Sequence, residues 1–239
     1  MEKGKRIDAI DALRGLSLIL MVIHHFLLDL TVLCDAPYWI FSNPVFNFLH
    51  YIFAGLFVLI SGISSRFSHS NLRRGLKCFG VALVITAVTA LMNSIIVFGV
   101  LHLLGACMIL FGLCSGFLDR IPRKVQPVIY IALLLISNWA VNNVDIGNAA
   151  HYLFFLGWTY PGFSSADYFP LFPWMFVFLL GTWVGLYIKE GKFPEKFYTF
   201  TMPVLPEIGR KSLVIYVLHQ PVLYALIYIY LFLTGSLTF

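Results

Sequence analysis

Arg14 and His25 are the residues whose types and spacing most strongly indicate chemistry in this sequence. They are eleven residues apart in one apolar run. Eleven steps of about 100° bring both side chains to the same helix face, roughly 16 Å apart along the axis. Ionisable side chains are costly inside a membrane and typically mark a functional site there. The pair therefore predicts a channel with a cation at its floor and an imidazole above it.

Asp29 follows His25 by four residues, which places the two side chains on one face within contact distance. A carboxylate that accepts a hydrogen bond from one imidazole nitrogen fixes the tautomer of the ring and raises the basicity of its other nitrogen. We therefore predict that His25, oriented by Asp29, is a general base for an acceptor hydroxyl or amine. The alternative is that His24, His25 and Asp29 only form hydrogen bonds between helices.

Arg14 lies near the start of the same run, and Asp11, three residues earlier, is positioned to pair with it. Guanidinium groups suit phosphate recognition, so Arg14 is predicted to anchor a phosphate. Four further cations could extend that anchor, namely Arg66, Arg73, Arg74 and Lys77. The alternative is that these residues are only topology signals.

His102 and His219 also lie in apolar runs, and their types fit either packing or the lining of a site. Pro221 follows His219 closely and removes a helical hydrogen bond, an irregularity often found beside a cavity. His50 and His69 are expected at the membrane interface. The sequence contains no metal-binding motif, so we expect no metal cofactor.

Composition places these residues in an integral membrane protein. The 239 residues are 60% hydrophobic and only 11% charged, whereas soluble domains carry roughly a quarter charged residues. We expect one domain, residues 1–239, with no cleavable signal peptide and no structural disulfide. Nucleic-acid-binding motifs and internal repeats are absent from the sequence, so nucleic acid is not an expected partner.

The apolar runs predict an all-α membrane protein with about seven transmembrane helices. A crossing needs about 20 apolar residues. The predicted spans are residues 10–33, 45–63, 76–97, 99–117, 125–142, 169–188 and 212–234. The long segment 143–168 between the fifth and sixth spans is rich in aromatic residues and is expected to form a packed cap.

The distribution of basic residues predicts the orientation. All sixteen Lys and Arg residues fall in the segments 1–14, 64–77, 118–124 and 189–211. The segments 34–44 and 143–168 contain none. Because basic residues concentrate in cytoplasmic segments, we expect a cytoplasmic N-terminus and a C-terminus outside.

Six stretches of the sequence together resemble one known family. The first contains Asp11-Ala12-Leu13-Arg14-Gly15 and the second contains the His24-His25 pair. The stretches are residues 11–15, 21–26, 57–64, 98–105, 165–174 and 212–221. They are similar to bacterial membrane proteins related to heparan-α-glucosaminide N-acetyltransferase, within a larger group of membrane acyltransferases that share the Arg–His spacing.

The resemblance implies transfer of an acetyl group from cytosolic acetyl-CoA to an acceptor, expected to be a sugar or glycan, across a bacterial plasma membrane. The histidine that matches His25 is catalytic in the wider group, and the arginine that matches Arg14 faces the CoA. On this reading the acceptor side is lined by His24, His102, Asp167, Tyr168, Trp174 and His219. The bilayer, acyl-CoA and the glycan are then the expected partners.

Two other functions remain open at this point. The same histidines could form a proton relay in a transporter or flippase for a small polar solute. The polar residues could also join helices in a non-catalytic assembly subunit. The sequence leaves open the acceptor, the acyl chain length, a direct or acetyl-histidine route, and homodimer formation.

Overall fold

Long helices dominate the architecture. The computed structural model describes residues 6–39, 43–92 and 94–235, and every regular element in these ranges is helical. The long helices are α1 (Asp8–Leu33), α2 (Pro44–Ser65), α3 (Asn71–Leu91), α4 (Val100–Leu118), α5 (Gln126–Asn143), α6 (Leu171–Lys189) and α7 (Ser212–Thr234). Short helices occupy Gly147–Ala149, Ala150–Leu153, Phe154–Leu156, Glu195–Thr199 and Leu205–Arg210.

The lengths and hydropathy of these helices are those of a multi-pass membrane protein. Helices α1 to α4, α6 and α7 are each long and apolar enough to cross a bilayer. Helix α5 meets that condition together with Gly147–Leu156, from which it is bent by 118°. The chain is therefore an integral membrane protein with six or seven candidate spans, as the sequence predicted.

Six of the seven predicted spans agree with the helices to within two residues, and the third is wrong. Helix α3 begins at Asn71 rather than 76, because the Ser70 side chain accepts a hydrogen bond from the backbone N–H of Arg73 and caps the helix. It ends at Leu91 rather than 97.

The apolar residues after α3 form an ordered connection instead of a last helical turn. Its backbone is hydrogen-bonded to the segment before α6. The N–H of Ala166 donates to the carbonyl of Ile95 (3.1 Å), and the N–H of Phe169 donates to the carbonyl of Phe98 (2.9 Å). Hydrophobicity alone could not separate this pairing from a helix, because both bury apolar side chains.

Some of the sequence predictions concern residues outside the described ranges. These are Lys3 and Lys5 of the inner N-terminal segment, residues 40–42 of the first outer loop, residue 93 of the third span and residues 236–239. The four cysteines all lie within the described ranges and are free thiols.

The first of two compact units comprises Met1–Phe57 and Phe193–Phe239. Here α1 packs against α7 and against the short helix Leu205–Arg210. Glycines permit the second contact, since a Cβ at Gly15 would collide with the carbonyl oxygen of Leu205 and one at Gly209 with that of Asp11. Small residues allow membrane helices to approach closely, and here they bring α1 into backbone contact with the short helix Leu205–Arg210.

The second unit is Val58–Lys192. Helix α3 packs on α4, α5 packs on α6, and α4 also contacts α6. The second half of α2 approaches α6 at Gly62 and Gly181, where a Cβ would collide with the carbonyl oxygens of Phe178 and Leu59. These contacts form a tightly packed interior that positions the polar residues described below.

The substitution Gly209→Ala is expected to reduce the free energy of unfolding by about 1–3 kcal/mol, because the added methyl group overpacks the contact with α1. Thermal unfolding in detergent measures the change. The matched control is Gly80→Ala on α3, since a Cβ at Gly80 has nothing within 4 Å. Equal unfolding midpoints for the two variants would contradict the close approach of Gly209 to Asp11.

Candidate functional site

Four histidines from three helices meet in the first unit, and we call them the histidine cluster. They are His24 and His25 on α1, His50 on α2 and His219 on α7. The His24 and His50 rings stack with centroids 4.0 Å apart, and the His25 and His219 rings meet edge to face at 5.0 Å. The centroids of His24 and His25 lie 5.8 Å apart. The cluster thus joins all three helices around His25.

His50 is the member that sequence reasoning missed, because it was assigned to the membrane interface. The sequence carries no direct signal for this role, because the contact of His50 with His24 joins two helices and depends on their relative rotation and depth.

A hydrogen bond to the backbone defines the state of His25. Its Nδ1 lies 2.9 Å from the carbonyl oxygen of Met21, one turn earlier in α1. A carbonyl oxygen only accepts, so Nδ1 carries the hydrogen and the neutral ring presents its lone pair at Nε2. His219 has the same arrangement, with Nδ1 2.6 Å from the carbonyl of Tyr216. The bond to Met21 therefore selects the tautomer that leaves Nε2 for a general base.

Asp29 is held by a different residue from the one that its spacing predicted. The Nε2 of Gln220 on α7 donates to both carboxylate oxygens, at 2.8 and 2.9 Å. Asp29 is only 3% exposed. Among the described residues, the carboxylate is thus hydrogen-bonded to Gln220 and not to His25, because the His25 Nδ1 is turned toward its own helix. Asp29 and His25 nevertheless lie one helical turn apart on α1.

Arg14 belongs to an ionic network at the other end of α1. Its guanidinium donates to Asp11 at 2.7 Å, which confirms the predicted pair. Arg210 of the short helix Leu205–Arg210 bridges Asp8 (2.7 Å) and Asp11 (3.5 Å), and it also contacts Glu207. Because α1 is continuous from Asp8 to Leu33, Arg14 and His25 share one helix with an axial separation of about 16 Å.

Arg66, predicted as a phosphate ligand, is engaged inside the second unit. Its Nε donates to the carbonyl of Thr182 (3.0 Å), and its Nη1 lies 2.8 Å from Asp119. The guanidinium also lies over the ring of Phe111, 4.7 Å from the centroid. These contacts join α2, α4 and α6. The other three predicted cations, Arg73, Arg74 and Lys77, are exposed in the first two turns of α3.

Both ring nitrogens of His102 form hydrogen bonds within the second unit. The backbone N–H of Gly99 donates to Nδ1 at 3.2 Å. Nε2 lies 3.2 Å from the Thr86 hydroxyl, which itself donates to the carbonyl of Ile96 (2.6 Å), so Nε2 is the donor to Thr86. These bonds join α3 to the connection before α4, and they give His102 a structural function.

The remaining predicted acceptor-side residues also lie in the second unit. Asp167 accepts a hydrogen bond from the backbone N–H of Val100 (3.1 Å), where a carboxylate complements the N-terminus of α4. The Tyr168 hydroxyl donates to the carbonyl of Phe154, and burial raises the pKa of Tyr168 to about 12, so this hydroxyl stays protonated. The Trp174 ring contacts that of Phe169.

The segment between α5 and α6 is a packed structure, as its composition predicted. Its aromatic rings pack on one another, in the pairs His151–Tyr160, Tyr160–Phe163 and Phe163–Tyr168. The start of α6 is irregular, because Phe172 has non-helical backbone angles. Over the ranges that the structure describes, no group of three or more His, Cys, Asp or Glu side chains is arranged to hold a metal ion.

The comparison with known families gives one match that covers most of the chain. The family described as "Heparan-alpha-glucosaminide N-acetyltransferase, catalytic" matches residues 6–221. This range includes α1 to α6 and the part of α7 that contains His219 and Gln220. No curated protein and no solved structure is similar enough to match the chain.

We expect His102→Ala to reduce the free energy of unfolding by about 1–3 kcal/mol, because it leaves the N–H of Gly99 without its acceptor and removes the donor to the Thr86 hydroxyl. Thermal unfolding of His102→Ala, Thr86→Val and the double variant measures the coupling. The losses should be less than additive, because both substitutions disrupt one network. His69→Ala, at an exposed position of the same unit, is the control. Additive losses would contradict the network.

Proposed function

The chain belongs to the heparan-α-glucosaminide N-acetyltransferase catalytic family, and we propose that it transfers an acetyl group from cytosolic acetyl-CoA to an acceptor across the membrane. Membership in this family implies a transferase, and acetyl-CoA is the general co-substrate of such enzymes. The acceptor we propose is a hydroxyl or amine of a sugar or glycan. The observation that carries the proposal is the Nδ1–H of His25 held by Met21, which leaves Nε2 as a base.

In the proposed reaction, Nε2 of His25 takes the proton from the acceptor as its oxygen or nitrogen attacks the thioester carbonyl. The carbon–sulfur bond then breaks, and the proton passes from His25 to the CoA sulfur. An alternative route transfers the acetyl group first to Nε2 and then to the acceptor. Both routes require the tautomer that Met21 stabilises, so the geometry supports either one.

Arg14 is proposed to bind a phosphate of CoA at the cytoplasmic end of α1. The complete partition of Lys and Arg supports a cytoplasmic N-terminus, which puts Arg14 on the side of the donor. The pair with Asp11 orients the guanidinium beside the ionic network. The spacing of about 16 Å between Arg14 and His25 would then separate the CoA phosphate from the transferred acetyl group.

The other site assignments are proposals of the same kind. In the second unit, the exposed Arg73, Arg74 and Lys77 stay proposals as phosphate ligands, and Arg66 is less suited to that role because it is already paired with Asp119. Within the first unit, His24 and His219 flank His25 and would contact the acceptor. In the second unit, Asp167, Tyr168 and Trp174 stay proposals for the acceptor side, and His102 is less suited to that role because both of its ring nitrogens are hydrogen-bonded within the protein. The proposed location is the bacterial plasma membrane.

The histidine cluster is also the feature that a proton-coupled transporter of small polar solutes would use, since intramembrane histidines can relay protons. Purified protein in proteoliposomes separates the two functions. Consumption of acetyl-CoA with matching formation of CoA and of acetylated acceptor on the far side supports the enzyme. Solute flux without consumption of acetyl-CoA would favour the transporter and contradict the proposed acetyl transfer.

His25→Ala is expected to reduce acetyl transfer about 10²- to 10⁴-fold, which is the typical contribution of a general base. Transfer of radiolabelled acetyl from acetyl-CoA to a panel of sugars measures the rate, and thermal unfolding checks that the variant is folded. His69→Ala, the exposed histidine of the second unit, should retain full activity. A folded His25→Ala variant with full activity would eliminate the mechanism.

Arg14→Met is expected to weaken CoA binding about 10- to 100-fold, the effect of losing one charge-assisted contact. Isothermal titration with CoA measures the dissociation constant. Asp11→Asn tests the alternative that only the ion pair matters, because it breaks the pair and keeps the cation, so it should bind CoA at least as tightly as the native protein. Lys211→Met, an exposed cation in the first unit, is the matched control. Unchanged binding in Arg14→Met would refute the anchor.

A further inference from the structure

Gln220 makes the contact with Asp29 that spacing along α1 did not anticipate. One amide nitrogen donates to both oxygens of a carboxylate that is 3% exposed, and the residues are separated by 191 positions in the chain. Among the residues described, these are the hydrogen bonds that Asp29 accepts. The contact joins α1 to α7 inside the first unit.

The orientation of the Gln220 amide is set by Asp29. The amide oxygen Oε1 is buried and accepts no hydrogen bond from any described residue, so no other contact of the amide group competes with the carboxylate. With the amide reversed, Oε1 would face the carboxylate oxygens, and acceptors would oppose acceptors. The observed orientation therefore suits an ionised Asp29.

A buried carboxylate inside a membrane is unfavourable unless donors compensate for the lost water. The amide of Gln220 supplies donation to both oxygens, and hydrogen bonds to the charged form stabilise that form. Removal of the amide would leave Asp29 without a donor among the described residues. The carboxyl would then become neutral by taking a proton.

Asp29 lies one helical turn from His25 on the same face of α1. His219, next to Gln220 in the chain, packs its ring on that of His25. Consecutive residues of α7 thus contact the imidazole and the carboxylate of α1. A negative charge at this place favours the imidazolium that forms when His25 accepts a proton.

We propose that Gln220 is a positioning residue that keeps Asp29 a carboxylate beside His25, so that the charge stabilises the imidazolium formed during acetyl transfer. The proposal rests on the proposed function of His25. The acceptor proton moves to Nε2 of His25 and then to the CoA sulfur, while Asp29 remains ionised throughout. The new bond joins the acceptor to the acetyl carbon, and the thioester bond breaks.

The first test measures kinetics of Gln220→Leu, which removes the amide and keeps a side chain of similar size. We expect kcat to fall about 10- to 100-fold, the loss of one charge-assisted hydrogen bond. The KM for acetyl-CoA should change less than about twofold, because Asp29 lies about 22 Å along α1 from Arg14. Rates are normalised to folded protein, so a purely structural role would leave kcat unchanged and overturn the proposal.

A double-variant cycle then asks whether Gln220 acts through Asp29. In an Asp29→Asn background, Gln220→Leu should cause little further loss of kcat, because the charge that the amide maintains is already absent. Full additivity of the two losses would show that Gln220 acts independently of Asp29, and it would also overturn the proposal.

Infrared difference spectroscopy of native protein against Asp29→Asn tests the charge without any activity. We expect the carboxylate band of Asp29 in the native protein and the carboxylic-acid band in Gln220→Leu. A carboxylic-acid band in the native protein would refute the proposal even if Gln220→Leu does not fold. If the native protein shows the carboxylate band but no acetyl transfer, the effect of Gln220 on Asp29 is supported and the proposed function is refuted.

Discussion

Inside a bilayer, every buried polar group must find a partner in the protein, because hydrocarbon supplies none and an unpaired group costs several kcal/mol. Three of the described polar side chains illustrate this constraint. Asp29 is paired with Gln220 and Arg66 with Asp119, while the Nδ1 of His25 uses a carbonyl of its own helix. Each pairing fixes a side chain in one orientation. The pairing that satisfies Nδ1 of His25 therefore also leaves its Nε2 available as a base in the proposed reaction.

The constraint separates two kinds of histidine. His102 satisfies both ring nitrogens with Gly99 and Thr86, and its bonds hold the connection between α3 and α4 in place. The Nδ1 of His25 bonds the carbonyl of Met21, which leaves Nε2 as the nitrogen that can take up a proton. A ring with both nitrogens engaged stabilises the surrounding backbone, whereas a ring anchored at Nδ1 can exchange a proton at the other nitrogen. Residue type alone does not distinguish them.

Helix α1 links the two ends of the proposed reaction because it is one continuous helix with packing contacts near both ends. The N-terminal half of α1 is held by the short helix Leu205–Arg210, whose backbone approaches closely at Gly209 and whose Arg210 pairs with Asp8 and Asp11. The C-terminal half is held by the hydrogen bonds of Asp29 with Gln220 on α7. A separation set by helix geometry between two such anchors suits a donor and a base that must stay at constant distance.

The sequence by itself determined the features that depend on local periodicity: six of the spans, the shared face of Arg14 and His25, and the Arg14–Asp11 pair. Helical geometry repeats every few residues, so spacing is sufficient to predict it. Only the tertiary structure decided that Gln220, 191 positions away, binds Asp29, and that His50 stacks on His24. These contacts join different helices. The rotation and depth of one helix relative to another depend on close packing and on the pairing of polar groups, and the residue spacing within a single helix does not determine them.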